Sequence, residues 1–246
     1  LDTVPGSDRT VKLPYLRHHL QEVHGGKEGL DAHALLASKT GFCNFIYANR
    51  KSHPNRDAMF HKLSAFRFVN SLGPHLNNTP GDGHRAEDWY ASSIRMKKPY
   101  KFSIAFENAW YPGYTSEKIV TSMLAGTIPI YWGNPDISRE FNSASFINCH
   151  DFPTLDDAAA YVKKVDEDDS LWCEIMSRPW KTPEQEARFL EETERETAKL
   201  YKIFDQSPEE ARRKGDGTWV SYYQRFLKRG HRMQLAWRRL KNRLRR

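Results

Sequence analysis

Cysteine is scarce and unpaired in this sequence. Cys43, Cys149 and Cys173 are odd in number, far apart, and form no Cys-x-x-Cys pair. That count speaks against a disulfide scaffold or a zinc site and leads us to expect a reducing compartment. Long apolar runs are missing too: none approaches the roughly 18–20 residues that cross a bilayer. No secretory leader is visible, although the sequence opens on Leu1, so any anchor would have to precede it. No metal-ligand spacing links the ten histidines, and the adjacent His18 and His19 cannot share one helix or strand face. The one Asp-x-Asp-like triplet, Asp166-Glu167-Asp168, is followed by Asp169 and reads as a solvated charge run at a helix end. We therefore expect no metal and no other cofactor.

Core-forming material is plentiful. Apolar residues make up 39% of the 246, with 13 Phe, 11 Tyr and 7 Trp, enough for one large soluble domain or one and a half ordinary ones. The net charge of +7 is misleading as an average. Residues 224–246 hold ten basic side chains and no acid; without them 28 Lys and Arg face 31 Asp and Glu, a balance of −3. The body is mildly acidic and the basicity belongs to a tail, which argues against a general nucleic-acid surface.

Periodicity divides the chain into three stretches. Residues 1–40 are mixed and polar, a linker or the remnant of a preceding domain. From 41 to 205, strand-like runs alternate with helical spacing. Strand candidates cover 42–48, 68–69, 100–106, 127–132 and 146–147, and helical patterns cover 55–66, 116–125, 155–165 and 183–204. Phe189, Leu190, Ala198, Leu200 and Tyr201 are the expected apolar contacts of the last helix. Strand, helix and strand joined by short connections imply right-handed crossovers and a parallel α/β sheet. The remainder, 206–246, reads as a basic amphipathic helical tail with Met233, Trp237, Leu240 and Leu244 on one stripe.

The chemistry concentrates between residues 106 and 135. A loop at 107–115 follows a strand and so lies at the carboxyl edge of the sheet, where open α/β folds bind ligands. It opens into a helix with Ser116 or Thr115 as N-cap, and a helix N-terminus favours an anion. Lys118 on the first turn can reach a phosphate there. Glu117 can accept from ribose hydroxyls, Tyr114 can lie on a ring or donate its hydroxyl, and Asn108 can fix the loop or donate to a phosphate oxygen. Together they could hold a nucleotide diphosphate without a metal. Taken alone, Ser-Glu-Lys at a helix start is more often plain capping with surface charge, and Arg56 after a Pro-containing turn is more often solvated.

Three ordered strings change that balance: YKFSIAFEN at 100–108, GYTSEK at 113–118 and AGTIPIYWG at 125–133. With FCNF at 42–45, the segment 49–57, LNN at 76–78 and FINCHDF at 146–152, they resemble glycosyltransferase family 10, the α-1,3/4-fucosyltransferases, over roughly residues 40–180. The resemblance implies a GT-B fold. Residues 41–205 would be its Rossmann-like GDP-fucose-binding domain, and the N-terminal acceptor domain would be mostly missing. It implies Arg56 and Lys118 on the diphosphate, Glu117 on the ribose, and Asn49, Asn108 and Tyr114 in the donor site. Ser116 stands where the family usually has Thr, and Ala48 where Ser is common.

The implied activity is transfer of L-fucose from GDP-β-L-fucose to a hydroxyl of an N-acetylglucosamine or glucose unit, with inversion, giving an α-1,3 linkage. The general base would lie in the acceptor domain, so no catalytic residue is named; Glu107 reads as part of the donor loop. The isolated chain should bind GDP and transfer fucose poorly. Lipid-linked or lipopolysaccharide acceptors would suit a tail lying on an anionic membrane through residues 224–246. The protein would then be cytoplasmic and peripheral on the inner membrane face, or Golgi-bound if an anchor precedes Leu1. The competing readings are a transferase for another nucleotide sugar and a nucleic-acid binder acting through the tail.

Overall fold

The structure is a computed structural model that describes residues 27, 29–80, 88–207, 210, 223, 225 and 226. The chain divides into two compact units, Leu1–Glu196 and Thr197–Arg246. The tail stripe at 233–244, the His18-His19 pair and nearly all of the basic run lie outside the described residues.

Within the first unit the elements run α1 (Ala32–Ala37), β1 (Gly41–Phe45), α2 (Asn55–Phe66), β2 (Val69–Ser71), α3 (Trp89–Lys97), β3 (Tyr100–Phe106), α4 (Glu117–Leu124), β4 (Ile128–Trp132), β5 (Ile147–Asn148), α5 (Leu155–Glu167) and α6 (Asp169–Ser177). The last helix, α7 (Pro183–Phe204), crosses the boundary between the units. All five strands are parallel, in the order β2-β1-β3-β4-β5. Cys43 stands beside Phe102, and Phe102 beside Ile128.

Alternation along the strands explains the layers. Phe102, Ile104 and Phe106 of β3, with Ile128, Ile130 and Trp132 of β4, face one cluster; Ala105 and Tyr131 face the other. The first cluster receives Met59, Phe60 and Leu63 of α2, Val162 and Val165 of α5, and Trp172 of α6. The second receives Ile119, Val120 and Met123 of α4. Side chains of α2 and α4 thus enter different clusters, as crossovers on both faces of a parallel sheet require.

Two expectations need correction. Asp166 is not solvated: its side chain is fully buried, with Arg67 at 3.0 Å and Lys101 at 3.2 Å, whereas Asp168 stays exposed and caps α6 by accepting from the Leu171 N–H at 3.0 Å. Leu190 and Tyr201 are not contacts of α7, being 50% and 64% exposed. Helices α1 and α3 carry no clear apolar stripe in the sequence; tertiary packing supplies their stability.

Candidate functional site

Strand order locates the site before any side chain is considered. From β1 the chain moves outward through α2 to β2, then returns past β1 to β3. The connections after β1 and β3 therefore leave in opposite directions. Between their carboxyl ends lies the switch point where open α/β sheets bind nucleotides.

Arg56 comes from the first of these connections. It sits on the first turn of α2 and is completely buried. One terminal nitrogen donates to Asn108 Oδ1 at 3.2 Å and the other to the Asn49 carbonyl. Its guanidinium lies 4.3 Å from the centre of the Tyr47 ring. The Asp57 carboxylate lies 3.6 Å from Nε, which makes no hydrogen bond. Arg56 thus ties the segment after β1 to the segment after β3. The backbone repeats the tie, since the His53 N–H donates to the Asn108 carbonyl at 2.9 Å. The Asn49 side chain turns back on the main chain of Lys51, accepting from its N–H at 2.9 Å and donating to its carbonyl at 3.0 Å. Only the Asn49 carbonyl meets the arginine.

Lys118 comes from the second connection. Its ammonium lies 3.0 Å from Glu107 Oε2, 2.8 Å from Ser116 Oγ and 3.8 Å from Glu117 Oε1. Burial pulls its pKa down, but Glu107 and Glu117 more than offset that, so it stands above the ordinary lysine value. The Tyr114 hydroxyl adds to the same effect, which places it within electrostatic reach of the ammonium. Arg56 therefore ends on Asn108 and Lys118 on Glu107, neighbouring residues just past β3. Two segments distant in the chain thus bring a buried guanidinium and a partly exposed ammonium to consecutive residues at the carboxyl end of β3.

Glu107 is the keystone of the loop. It is fully buried and accepts from the Ser116 N–H at 2.8 Å and from the Ser116 hydroxyl at 2.7 and 2.9 Å. Ser116 occupies the N-cap position of α4 but spends its hydroxyl on Glu107, so no side chain caps that helix. The uncapped N–H groups of its first turn are available to an anion. Gly133 packs against the keystone: a Cβ there would fall 2.4 Å from Glu107 Cγ. Only a residue without a side chain permits that approach.

Several contributors carried no recognisable sequence signal. Asn134 is buried; it accepts from the Gly113 N–H at 2.8 Å and donates to the Thr115 hydroxyl at 3.0 Å, holding the 107–115 loop. The Tyr47 hydroxyl accepts from the Phe106 N–H at 2.8 Å and reaches the carbonyls of Ile104 and Phe106. His53 lies against Trp132, with ring centres 4.4 Å apart, and His150 stacks on the same indole at 6.0 Å. Burial lowers the His150 pKa, and its Nε2 accepts from the Gly133 N–H. None of these partners is close in sequence, so no local motif exposes them.

A five-stranded parallel sheet with helices entering both of its faces defines an α/β domain of the Rossmann-like kind. The sequence profile described as glycosyltransferase family 10 (fucosyltransferase), C-terminal part, matches residues 36–213, and the chain belongs to that family. It is 33% identical over 178 residues to a fucosyltransferase-named protein of Acanthamoeba polyphaga mimivirus, covering 70% of this chain and 29% of that one. It is 32% identical over 154 residues to the α-(1,3)-fucosyltransferase FucT of Helicobacter pylori, covering 62% of this chain and 30% of that one. A crystal structure of an α1,3-fucosyltransferase with GDP-fucose superposes with a TM-score of 0.61 at 29% identity, over 73% of this chain and 50% of that one. The chain thus spans about a third of these curated relatives and half of the solved structure.

Proposed function

We propose that this chain supplies the donor site of an α-1,3-fucosyltransferase that uses GDP-β-L-fucose. The observation that carries the reading is the meeting of Arg56 and Lys118 on Asn108 and Glu107 at the switch point. The superposing α1,3-fucosyltransferase crystallised with GDP-fucose, which supports the identity of the donor.

In this reading the diphosphate lies at the N-terminus of α4. Lys118, whose side chain is 17% exposed, meets it directly by leaving Glu107 for a phosphate oxygen. Arg56 is closed off from solvent, so its charge acts through the field and through the Asn108 it positions. Glu117 takes the ribose hydroxyls, and Tyr114 and Asn49 border the nucleotide. In the transfer, an acceptor hydroxyl oxygen attacks the anomeric carbon from the face opposite the diphosphate. The bond from that carbon to the phosphate oxygen breaks, its electron pair leaves with GDP, and the hydroxyl proton passes to a carboxylate base. Glu107 is not that base, because both its oxygens are engaged by Ser116 and Lys118. Lys118, Arg56 and the helix N-terminus stabilise the departing charge in place, by preorganised electrostatics. We also propose that no metal is required.

Titration of the 246-residue chain with GDP, UDP and their sugars tests the donor. Guanine-selective binding that survives excess chelator is expected; equal affinity for UDP-sugars would refute the reading. A nucleic-acid binder would instead show affinity that collapses with salt and no preference among nucleotides. The basic run at 224–246 is proposed as a peripheral contact with anionic membrane. Salt-sensitive cosedimentation with anionic liposomes, lost on deleting the run, is the outcome expected.

A further inference from the structure

A lysine lies buried under the helix that opens the donor site, with no carboxylate to balance it. Lys97, the last residue of α3, is 6% exposed. Its ammonium donates to the Thr121 hydroxyl at 2.6 Å, the Ser122 hydroxyl at 3.1 Å and the Lys118 carbonyl at 3.4 Å. Three acceptors match the three protons of a charged ammonium. Each hydroxyl passes its own proton on to the first turn of α4, Thr121 to the Glu117 carbonyl at 2.9 Å and Ser122 to the Lys118 carbonyl at 2.7 Å. The cage thus ties a cation to the backbone of the two residues, Glu117 and Lys118, that the donor reading places on the nucleotide.

Charge is what the cage does not balance. Among the described residues no carboxylate lies within ion-pair distance of Lys97; Glu117 acts on it only through the field and sits 3.8 Å from the Lys118 ammonium. Lys118 opposes the charge, and from β3 the neutral Ser103 hydroxyl joins the cluster, 3.1 Å from Ser122. Burying an unbalanced ammonium is costly, and it lowers the Lys97 pKa from 10.5 to about 7. The lysine is therefore poised, in a cage shaped for the charged form and in surroundings that disfavour the charge near neutral pH.

We propose that Lys97 is the buried counter-charge of the donor diphosphate and takes a proton from solvent when the nucleotide binds at the N-terminus of α4. The inference rests on the donor reading and adds to it a positioning residue that does not touch the ligand. Every group that Lys97 touches is neutral, so the bound anion is the charge that completes the pair. At on the order of 10 Å and an effective dielectric of about 20, each negative charge on the ligand raises the lysine pKa by about one unit. Protonated Lys97 in turn adds its field to the phosphates and braces the first turn through both hydroxyls. Binding and protonation therefore strengthen each other.

The test titrates the 246-residue chain with GDP-fucose, whose diphosphate is a diester with no ionisation near neutral pH. Calorimetry at about pH 7.5, in buffers of different ionisation enthalpy, counts the protons exchanged. The wild type should take up about half a proton per nucleotide bound, and its Kd should rise about fivefold between pH ~7 and ~9, the range in which the complex holds the proton that the free chain has lost. In Lys97→Met the uptake should vanish, with Kd about fivefold weaker than the wild type at pH ~7 and within about twofold of it at pH ~9. A merely structural lysine would weaken binding equally at every pH. Binding without proton uptake in the wild type, or uptake that persists in Lys97→Met, would overturn the coupling and leave the donor site standing. No binding of GDP-fucose would defeat the donor reading, and the coupling with it.

Discussion

The two ends of β3 each hold a buried carboxylate against a lysine, and they serve opposite purposes. At the amino end Lys101 meets Asp166, which Arg67 also contacts, while Asp169 lies 3.4 Å from the same ammonium. These groups belong to β3 and to the ends of α2, α5 and α6, so the cluster joins regular elements. At the carboxyl end Glu107 meets Lys118, but its other partner is the loop residue Ser116, at an uncapped helix start. Similar charges thus join regular elements at one edge and brace a loop against a helix start at the other. What differs is the backbone beneath them: strand and helix ends that close on each other, against a loop and a helix N-terminus that open outward.

Four measurements would break or sharpen this contrast. The largest effect is expected from Gly133→Ala. Its φ is 154° and the new methyl would meet Glu107 within 2.5 Å, so about 3 kcal/mol of stability should be lost together with GDP binding. Calorimetric unfolding near the wild-type value would show that the keystone tolerates displacement. Next, Lys118→Ala should weaken GDP binding about 100-fold, close to 2.7 kcal/mol. A Kd within a factor of a few would remove Lys118 from the diphosphate.

At the opposite edge, Asp166→Asn should cost about 2 kcal/mol in urea unfolding, because two cations lose their buried partner, one of them half in solvent. GDP affinity should be untouched. A parallel loss of affinity would mean that the two ends of β3 are coupled.

The smallest effect concerns Lys97. It is buried beneath α4, donating to the Thr121 hydroxyl at 2.6 Å and the Ser122 hydroxyl at 3.1 Å. Burial lowers its pKa from 10.5 to about 7. Between those values the unfolded chain carries a proton that the folded chain has released, so stability rises with pH across that window. Below pH 7 both forms are protonated and the burial penalty is fully present. Lys27, lowered by burial to about 7, and Lys39, lowered to about 8, act in the same direction. Lys97→Met should therefore reduce, not abolish, the gain in stability from pH 7 to 9, by on the order of 1 kcal/mol. An unchanged slope would show that Lys97 stays charged in its hydroxyl cage.

Much of this architecture can be read locally. The spacing of Met59, Phe60 and Leu63 marks α2, and the apolar runs at 100–106 and 128–132 mark β3 and β4, because both periods are written in neighbouring residues. Arg56, Asn108, Glu117 and Lys118 stand out through the ordered strings around them. Their assembly does not. Nothing near Asn134 in sequence announces that it holds Gly113 and Thr115, or that Gly133 leaves room for Glu107, since each partner is some 20 residues away or more. Asp166 reads as surface charge because its neighbours in the chain are acidic, whereas its neighbours in space are Arg67 and Lys101.

The amino-acid order by itself determined the alternation of strands and helices, the parallel sheet and the cationic residues beside its binding edge, because hydrophobic periodicity and turn chemistry act over a few residues. The tertiary structure alone decided the strand order, and with it the switch point. It also decided that Arg56 is sealed among carbonyl and amide oxygens while Lys118 keeps a path to solvent. Burial and charge pairing depend on segments distant in the chain, and only the folded sheet brings those segments together.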